Sequence, residues 1–291
     1  MSGLTKRLVL AVGAVLCACG SGAQTTVDAA YPYAYAANAG WINLRGDTAN
    51  GLAVGLSFCT GYLWSPALGW IGMGNGPTNG WSYTQLSASD WGVNHDGQGA
   101  LTGFAYGANI GWLVFEQTYG KPRVDLLTGA MSGYAWSPNI GWIGFSNRFA
   151  QARMASLSTT PDSDGDGIAD AWEYKRTGKL SLLGGNGADA DGDGYSDVME
   201  FGADTDPKSA ASALTITAFE RSAVSDRVEW SVQPTRQYRL QRTDALGAGA
   251  VWSDSGLGLL APGSGDRLSR QFSAAGATSR FYRVKAVLPL S

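Results

Sequence analysis

The side chains best suited to chemistry are the carboxylates of a short acidic tract. Residues 158–208 hold ten Asp and two Glu against four Lys or Arg, in a chain of 291 residues whose formal charge is only −3. Two twelve-residue segments, 162–173 and 189–200, carry Asp at positions 1, 3, 5 and 9, Gly at position 6 and Glu at position 12. Such spacing is typical of a calcium loop, because Ca²⁺ takes roughly six to eight oxygen ligands and the Gly permits a sharp turn. We therefore predict about two bound Ca²⁺ ions.

The predicted ligands occupy equivalent positions in the two loops. Side-chain oxygens are expected from positions 1, 3, 5 and 9, a backbone carbonyl from position 7, and two carboxylate oxygens from position 12. The predicted ligands are Asp162, Asp164, Asp166, Ile168, Asp170 and Glu173 in the first loop, and Asp189, Asp191, Asp193, Tyr195, Asp197 and Glu200 in the second. The alternative is a solvated acidic linker. Asp204 and Asp206 close the second unit, and we expect them to add ligands or to cap a turn.

The run Asp-Ser-Asp-Gly-Asp-Gly-Ile-x-Asp resembles the thrombospondin type 3 repeat and is similar to the EF-hand-like loops of dockerins. Over about fifty residues, this resemblance implies calcium-dependent structure outside the cell and no catalysis. The sequence departs from thrombospondin in having Trp172 and Glu173 where Cys and Asp are usual, and from dockerins in its apolar residue at position 7. Short helices are expected after each loop, over 169 to about 176 and 196 to about 201, with Gly178 and Gly202 as stops.

An internal repeat of four segments precedes the acidic tract. The segments begin at Tyr33, Tyr62, Phe104 and Tyr134, and each reads aromatic-x-aromatic, a turn, then Gly-Trp-apolar-x-apolar. The alternation and the turn residues predict a β-hairpin in each segment, within a three-stranded meander of about thirty residues. A single meander cannot bury an apolar face alone, so we expect the units to stack or close on one another.

The aromatic side chains of this region allow two interpretations. The Trp after each turn is predicted to be a core residue in all four repeats, at Trp41, Trp70, Trp112 and Trp142. Three aromatic residues in a polar stretch between repeats are instead the predicted exposed ligand contacts, namely Trp81, Tyr83 and Trp91. Carbohydrate is the expected ligand, because sugar rings have apolar faces that stack on aromatic rings. The pattern resembles the Gly-Tyr-Ala-Trp-Ser-x-Asn-Ile-Gly-Trp-Ile repeats of secreted bacterial proteins, which implies no activity.

The N-terminus has the layout of a bacterial secretory signal. Lys6 and Arg7 precede an apolar run over 8–16, and small residues follow up to Ala23. We predict a signal peptide over 1–23, with lipidation at Cys19, as in an outer-membrane lipoprotein, as the alternative. The apolar run is too short to span a bilayer, so no transmembrane segment is expected. The protein is predicted to be secreted, extracellular or at the cell surface.

Composition and spacing then predict a mainly β protein. The 41 Gly and the 15% of charged residues argue against an all-helical fold, and the lack of a sustained Lys/Arg cluster argues against nucleic acid as a partner. Short alternating apolar runs at the C-terminus predict a β-sandwich. The predicted order is an aromatic β-meander repeat domain (24–157), a calcium-loop module with short helices (158–208) and a β-sandwich-like domain (209–291).

Catalysis is not expected. The single histidine, His95, excludes multi-histidine metal sites, and a turn is the preferred interpretation of His95 and Asp96 over a general base. Beyond the predicted signal only Cys59 remains, so no intramolecular disulfide can form. Bound calcium is therefore expected to stabilise the fold instead. We predict a calcium-binding surface or adhesion protein that binds a glycan or another cell-surface component. The alternatives are a self-assembling extracellular structural subunit and an extracellular hydrolase such as a glycoside hydrolase.

Overall fold

The described chain is mainly β, which confirms the predicted fold class. A computed structural model describes residues 25–46, 48–148, 150–158, 161–222, 224–247, 249–273 and 281–290. Within these ranges it has twenty strands and two short helices. None of the described helices is long and apolar enough to cross a membrane. The predicted signal segment, with Cys19, lies outside the described residues.

Fourteen strands form the repeat domain. They are β1 (Val27–Ala36), β2 (Gly40–Asn43), β3 (Ala53–Val54), β4 (Cys59–Thr60), β5 (Tyr62–Ser65), β6 (Gly69–Gly72), β7 (Val93–His95), β8 (Leu101–Gly107), β9 (Gly111–Phe115), β10 (Arg123–Val124), β11 (Met131–Ser132), β12 (Tyr134–Ser137), β13 (Gly141–Gly144) and β14 (Ala152–Met154). Each repeat is an antiparallel hairpin: β1–β2, β5–β6, β8–β9 and β12–β13. The hairpins join edge to edge, and the ring closes because β13 pairs with β1. The four units therefore close on one another.

Neighbouring hairpin turns are tied together by the asparagine of the repeat. The Asn109 side chain donates a hydrogen bond to the Leu68 carbonyl of the preceding unit at 3.1 Å. Two further Asn–carbonyl pairs repeat this link, Asn139 to Ile110 at 2.9 Å and Asn38 to Ile140 at 3.2 Å. The second unit has Ala67 at the asparagine position, so the side-chain donor for the fourth link is missing.

The third strand expected in each unit joins the ring at only one of the described repeats, where β7 pairs with β8. Before the second and fourth hairpins, the corresponding runs pair outside the ring, as β3 with β4 and β10 with β11. Gly61 and Gly133, with φ of 85° and 78°, separate β4 from β5 and β11 from β12. The predicted meander is therefore interrupted at the glycine in these two repeats, whereas Gly103, the equivalent residue of the third repeat with φ of 105°, lies within β8.

The module predicted to bind calcium contains α1 (Asp170–Thr177) and α2 (Asp197–Ala203), and the name calcium module is kept for it below. The predicted stop of α1 is confirmed, because Gly178 caps it with φ of 75°. The predicted stop of α2 is wrong: Gly202 lies within the helix and Asp204 takes the left-handed cap, with φ of 58°. A small core of buried apolar residues joins loops and helices, namely Ile168, Ala169, Trp172, Leu183 and Phe201.

Two three-stranded sheets form the C-terminal region. The strands are β15 (Ile216–Arg221), β16 (Ser225–Ser231), β17 (Gln237–Thr243), β18 (Ser253–Leu260), β19 (Arg267–Ser273) and β20 (Phe281–Val287). Their order is β15-β16-β19 in one sheet and β18-β17-β20 in the other. Trp230 and Tyr238, one from each sheet and both fully buried, have ring centroids 6.5 Å apart. This pairing of sheets matches the predicted sandwich.

Candidate functional site

In the first acidic loop the carboxylates of three Asp converge. One oxygen each of Asp162, Asp164 and Asp166 lies within 4.8 Å of the other two. Asp162 holds the curl of the loop, because its Oδ1 accepts a hydrogen bond from the Gly165 N–H (2.8 Å) and its Oδ2 one from the Gly167 N–H (3.0 Å). Gly167, at position 6, has φ of 93°, a conformation that residues with a side chain rarely adopt. The loop therefore presents three convergent carboxylates.

The second loop repeats this geometry. Oxygens of Asp189, Asp191 and Asp193 lie within 4.8 Å of one another. The Asp189 carboxylate accepts hydrogen bonds from the N–H groups of Gly192 (2.8 Å) and Gly194 (2.9 Å). Two loops with different intervening residues thus curl alike, which indicates that the spacing of Asp and Gly dictates the shape.

The position-12 carboxylates are buried and short of partners. Both oxygens of Glu173 and the Oε2 of Glu200 are buried with no hydrogen-bond partner among the described residues. Burial and the charges of Asp166 and Asp164 raise the pKa of Glu173 to about 8, and burial raises the pKa of Glu200 to about 7. A buried, unpaired carboxylate is costly, and a bound divalent cation removes that cost by supplying the missing positive charge. The donor set therefore fits a hard cation such as Ca²⁺.

The position-9 carboxylates, those of Asp170 and Asp197, accept hydrogen bonds from residues that precede them in the chain. The Asp170 Oδ1 and Oδ2 accept hydrogen bonds from the backbone N–H (2.7 Å) and the hydroxyl (2.5 Å) of Ser163. The Asp197 carboxylate accepts from the N–H groups of Ala190 (2.9 Å) and Gly184 (3.0 Å). Both carboxylates are buried. Each carboxylate thus fastens the start of its helix to the preceding chain, and its role as a metal ligand stays a prediction.

At position 7, where a backbone carbonyl is the predicted ligand, the two side chains differ. Ile168 is fully buried in the core of the module, whereas Tyr195 is 37% exposed. The first loop is therefore anchored by packing and the second lies closer to solvent.

The Asp204 carboxylate joins the calcium module to the C-terminal region. Its Oδ1 accepts hydrogen bonds from the Trp172 indole (2.7 Å) and from Arg176 (2.9 Å), both on α1. Its Oδ2 accepts from the Thr235 hydroxyl. The neighbouring Arg236 guanidinium donates to two carbonyls at the end of α2, at 2.9 and 2.6 Å. Of the two roles that the sequence left open for Asp204, the structure shows the cap.

Twelve aromatic side chains form a belt on the outer face of the closed ring. Each side chain is between 36% and 49% exposed. The belt consists of Tyr33, Tyr35, Trp41, Tyr62, Trp64, Trp70, Phe104, Tyr106, Trp112, Tyr134, Trp136 and Trp142. The prediction that the four repeated Trp are core residues is therefore wrong.

The width of the ring explains why the aromatic residues face outward. The interior of an eight-stranded closed sheet is just wide enough for side chains to fill it. The alternate positions of the first strand of each hairpin carry mostly small residues, and these are the buried ones, as with Ala34 and Ala36 in the first unit and Ala135 and Ser137 in the fourth. Ile42 and Ile143 fill the remaining space from the second strands. The bulky rings are left outside, where they contact one another edge to face.

The three predicted ligand contacts have different environments. Trp81 stacks on Tyr174 of α1 with ring centroids 5.5 Å apart, so it joins the repeat domain to the calcium module. Trp91 is half-buried, and its ring lies 5.3 Å from that of Trp112, which places it beside the belt.

Tyr83 is buried, and its prediction as an exposed contact is wrong. Its hydroxyl donates to the Cys59 carbonyl (2.9 Å) and accepts from the Gly76 N–H (2.8 Å). A Cβ on Gly92 would lie 2.3 Å from the Tyr83 ring. A glycine therefore makes the room that the ring occupies, and this close approach has no sequence signal of its own.

His95 and Cys59 are enclosed in the repeat domain. The His95 Nδ1 hydrogen-bonds to the Gly55 carbonyl (2.7 Å) and its Nε2 accepts from the Gly99 N–H (3.1 Å). Burial lowers the pKa of His95, and burial raises the pKa of the Cys59 thiol. Both ring nitrogens of His95 are occupied, so this side chain is not placed to act as a general base.

No protein-family model, no curated protein and no solved structure matches this chain.

Proposed function

We propose that this protein is a non-catalytic, calcium-stabilised binding protein of the extracellular space or cell surface, which attaches to carbohydrate through its repeat domain. The observation that carries the proposal is the belt of twelve exposed aromatic side chains. Large apolar patches are rare on monomeric proteins and mark interaction sites. Aromatic rings interleaved with Tyr hydroxyls suit sugars, which present an apolar face and a hydroxylated rim.

The calcium loops supply the stabilisation that such a protein needs without disulfides. A cation in each loop would pair the buried carboxylates of Glu173 and Glu200 and hold the loops against α1 and α2. Because Asp204 links α1, α2 and Thr235, ordered loops would also hold the C-terminal region in a fixed position relative to the belt.

Retention on insoluble polysaccharide tests the binding half of the proposal. The full chain in calcium buffer is mixed with cellulose, xylan or chitin, and the bound fraction is measured. A variant with Trp41→Ala, Trp112→Ala and Trp142→Ala is expected to lose at least tenfold in affinity. Phe219→Ala, an equally exposed aromatic residue of the C-terminal region, is the matched control and is expected to bind like the wild type. Equal retention of the triple variant, or no retention of the wild type, contradicts the proposal.

Calorimetric titration with CaCl₂ tests the calcium half. The wild type is expected to bind about two ions, and Glu173→Gln and Glu200→Gln are each expected to remove one. Asp206→Asn changes an acid of the same tract whose Oδ1 accepts a hydrogen bond from the Lys208 N–H and so caps a turn, and this variant is expected to leave both sites. No saturable binding at millimolar calcium contradicts this half.

A further inference from the structure

Every hairpin of the belt carries the same pair of aromatic walls, with Tyr62 and Trp70 6.3 Å apart at 81° in the second, and clefts lie beside the walls of the other three. In the first, Tyr33 and Trp41 form two walls, and residues of the second hairpin, Trp64 and Pro66, complete a cleft of about 490 Å³ with Asn43. The two wall rings are 5.7 Å apart and meet at 70°. A flat ring entering the cleft would therefore meet one aromatic face and the edge of another.

The third and fourth hairpins repeat this wall pair. Phe104 and Trp112 are 6.0 Å apart at 74° and line a cleft of about 450 Å³ with Trp91 and the segment 85–88. Tyr134 and Trp142 are 6.1 Å apart at 74° and line a cleft of about 280 Å³ with Tyr119. Ligand pockets typically measure roughly 300–1,000 Å³, so the first two clefts suit one or two sugar rings, and the third, just below this range, suits a single ring.

The chemistry of the clefts favours a neutral ligand. None of the residues that line the three clefts is charged, and their polar groups are amides and hydroxyls such as those of Asn43, Gln85 and Ser87. The carboxylate of Glu116 is occupied, because it accepts hydrogen bonds from the backbone N–H groups of Thr118, Tyr119 and Gly120. A carboxylated or sulfated sugar would find no cationic partner in these clefts, and it would lose solvation on entering them.

The continuity of the belt argues for a polymer as occupant. Exposed aromatic side chains of all four hairpins surround the closed sheet. A second copy of the chain would cover only one side of it, because an interface of standard size buries about 800 Å² per partner. A polysaccharide offers the same unit many times and can occupy several clefts at once, which multiplies affinity. Pyranoses with equatorial substituents have two flat C–H faces, so they match the paired aromatic walls.

We infer that the belt binds neutral polysaccharides of equatorially substituted pyranoses, one segment at each of the three clefts that share this wall pair. This inference rests on the proposed function and specifies its ligand class and valency.

The test is calorimetry of the full chain in calcium buffer with three hexasaccharides: cellohexaose, xylohexaose and β-1,4-linked hexaglucuronate. The third has the same ring shape with a carboxylate on every unit. The neutral sugars are expected to bind with a stoichiometry of about three, and hexaglucuronate at least tenfold more weakly. Trp41→Ala, Trp112→Ala and Trp142→Ala are each expected to remove one site.

Two control variants distinguish the loss of an aromatic side chain from the unfolding of the protein. Trp142→Phe retains an aromatic wall and is expected to retain the site, while Phe281→Ala changes an exposed ring outside the belt and is expected to change nothing. Melting temperatures in calcium buffer establish that each variant is folded.

The outcomes distinguish the inference from the proposed function. Binding of hexaglucuronate as tight as cellohexaose, or a single site unaffected by two of the three substitutions, overturns the inference and leaves carbohydrate binding in place. Retention on no polysaccharide and no binding of any hexasaccharide overturns both. Self-association that is lost in the triple Trp variant, without sugar binding, assigns the belt to a second copy of the chain.

Discussion

The repeat domain and the calcium module reach stability by opposite means. The closed ring has an apolar interior, and asparagine side chains tie its turns together. Within the described part of the calcium module, six buried carboxylate oxygens have no hydrogen-bond partner, and they belong to Asp166, Glu173, Asp191, Asp193 and Glu200. The ring therefore satisfies its buried groups from within the chain, whereas the proposed function assigns the unpaired carboxylates of the module to a bound cation. On that proposal we expect the stability of the module, and not that of the ring, to depend on the calcium concentration.

The largest effect is expected from removing calcium. At a free concentration about a hundredfold above Kd, one site adds about 2.7 kcal/mol, so two sites add roughly 5 kcal/mol. With EDTA, protease cleavage is expected within 161–208 while the repeat domain stays intact, as followed by mass spectrometry of the fragments. Equal protection of the two regions with and without calcium would contradict the comparison.

A substitution inside the ring should destabilise the repeat domain whether or not calcium is present. Ile143 is 2% exposed and its neighbour Trp142 faces outward at 44% exposed. Ile143→Ala is expected to cost about 2–5 kcal/mol through the cavity it leaves, while Trp142→Ala costs about 1 kcal/mol or less. Hydrogen exchange of the ring strands measures both. Should Trp142→Ala be the more damaging change, the outward placement of the rings would be wrong.

The calcium-free module should lose stability as pH rises. The folded-state pKa values of Glu173 and Glu200, about 8 and about 7, lie above the ordinary value of 4.5. Between about pH 4.5 and 8 the folded state therefore binds more protons than the unfolded state, so the free energy of unfolding falls with pH. One pKa unit corresponds to about 1.4 kcal/mol, so a loss of several kcal/mol is expected between pH 5 and 8.

Hydrogen exchange of 161–208 in EDTA at pH-corrected rates measures this dependence. The double variant Glu173→Gln, Glu200→Gln is expected to remove most of this pH dependence. Saturating calcium is expected to reverse its direction, since the cation binds the deprotonated carboxylates. A calcium-free module that gains stability across this window would contradict the account.

The smallest expected effect is a gain in the stability of the repeat domain. Ala67→Asn supplies the missing side chain of the turn ladder, which would donate to the Ala39 carbonyl as Asn109 does to Leu68. One such hydrogen bond is worth about 1 kcal/mol, measured as a rise in the melting temperature. Ala67→Ser, whose side chain is too short for that reach, is the control. A melting temperature that rises equally in both variants would show that the ladder is not the cause.

Local spacing was enough to predict the hairpins and the two acidic loops. Gly at the hairpin turns and at position 6 of each loop takes the left-handed conformation that those turns need, as at Gly141 and Gly194. These elements depend on residues within about a dozen positions of one another, which is the range that a sequence pattern records.

The sequence pattern could not predict which face of each strand points into the closed ring and which face points outward. A period of two shows that Trp136 shares a face with Tyr134, but the choice between inside and outside depends on the width of the closed ring. The small alternate residues, such as Ala135, were the available signal. The hydrogen bond between Asp204 and Thr235 could not be predicted for a different reason. The two residues lie 31 positions apart in the chain, which is outside the range of a local sequence pattern.

The most direct single measurement is a crystal structure of the full chain grown with CaCl₂ and cellohexaose. We expect one Ca²⁺ in each loop, held by the three convergent Asp and the position-12 Glu, and glucose rings stacked on Trp41, Trp112 or Trp142. Loops without ions at millimolar calcium, or a belt covered by a second copy of the chain with no sugar on it, would show that the proposed function is wrong.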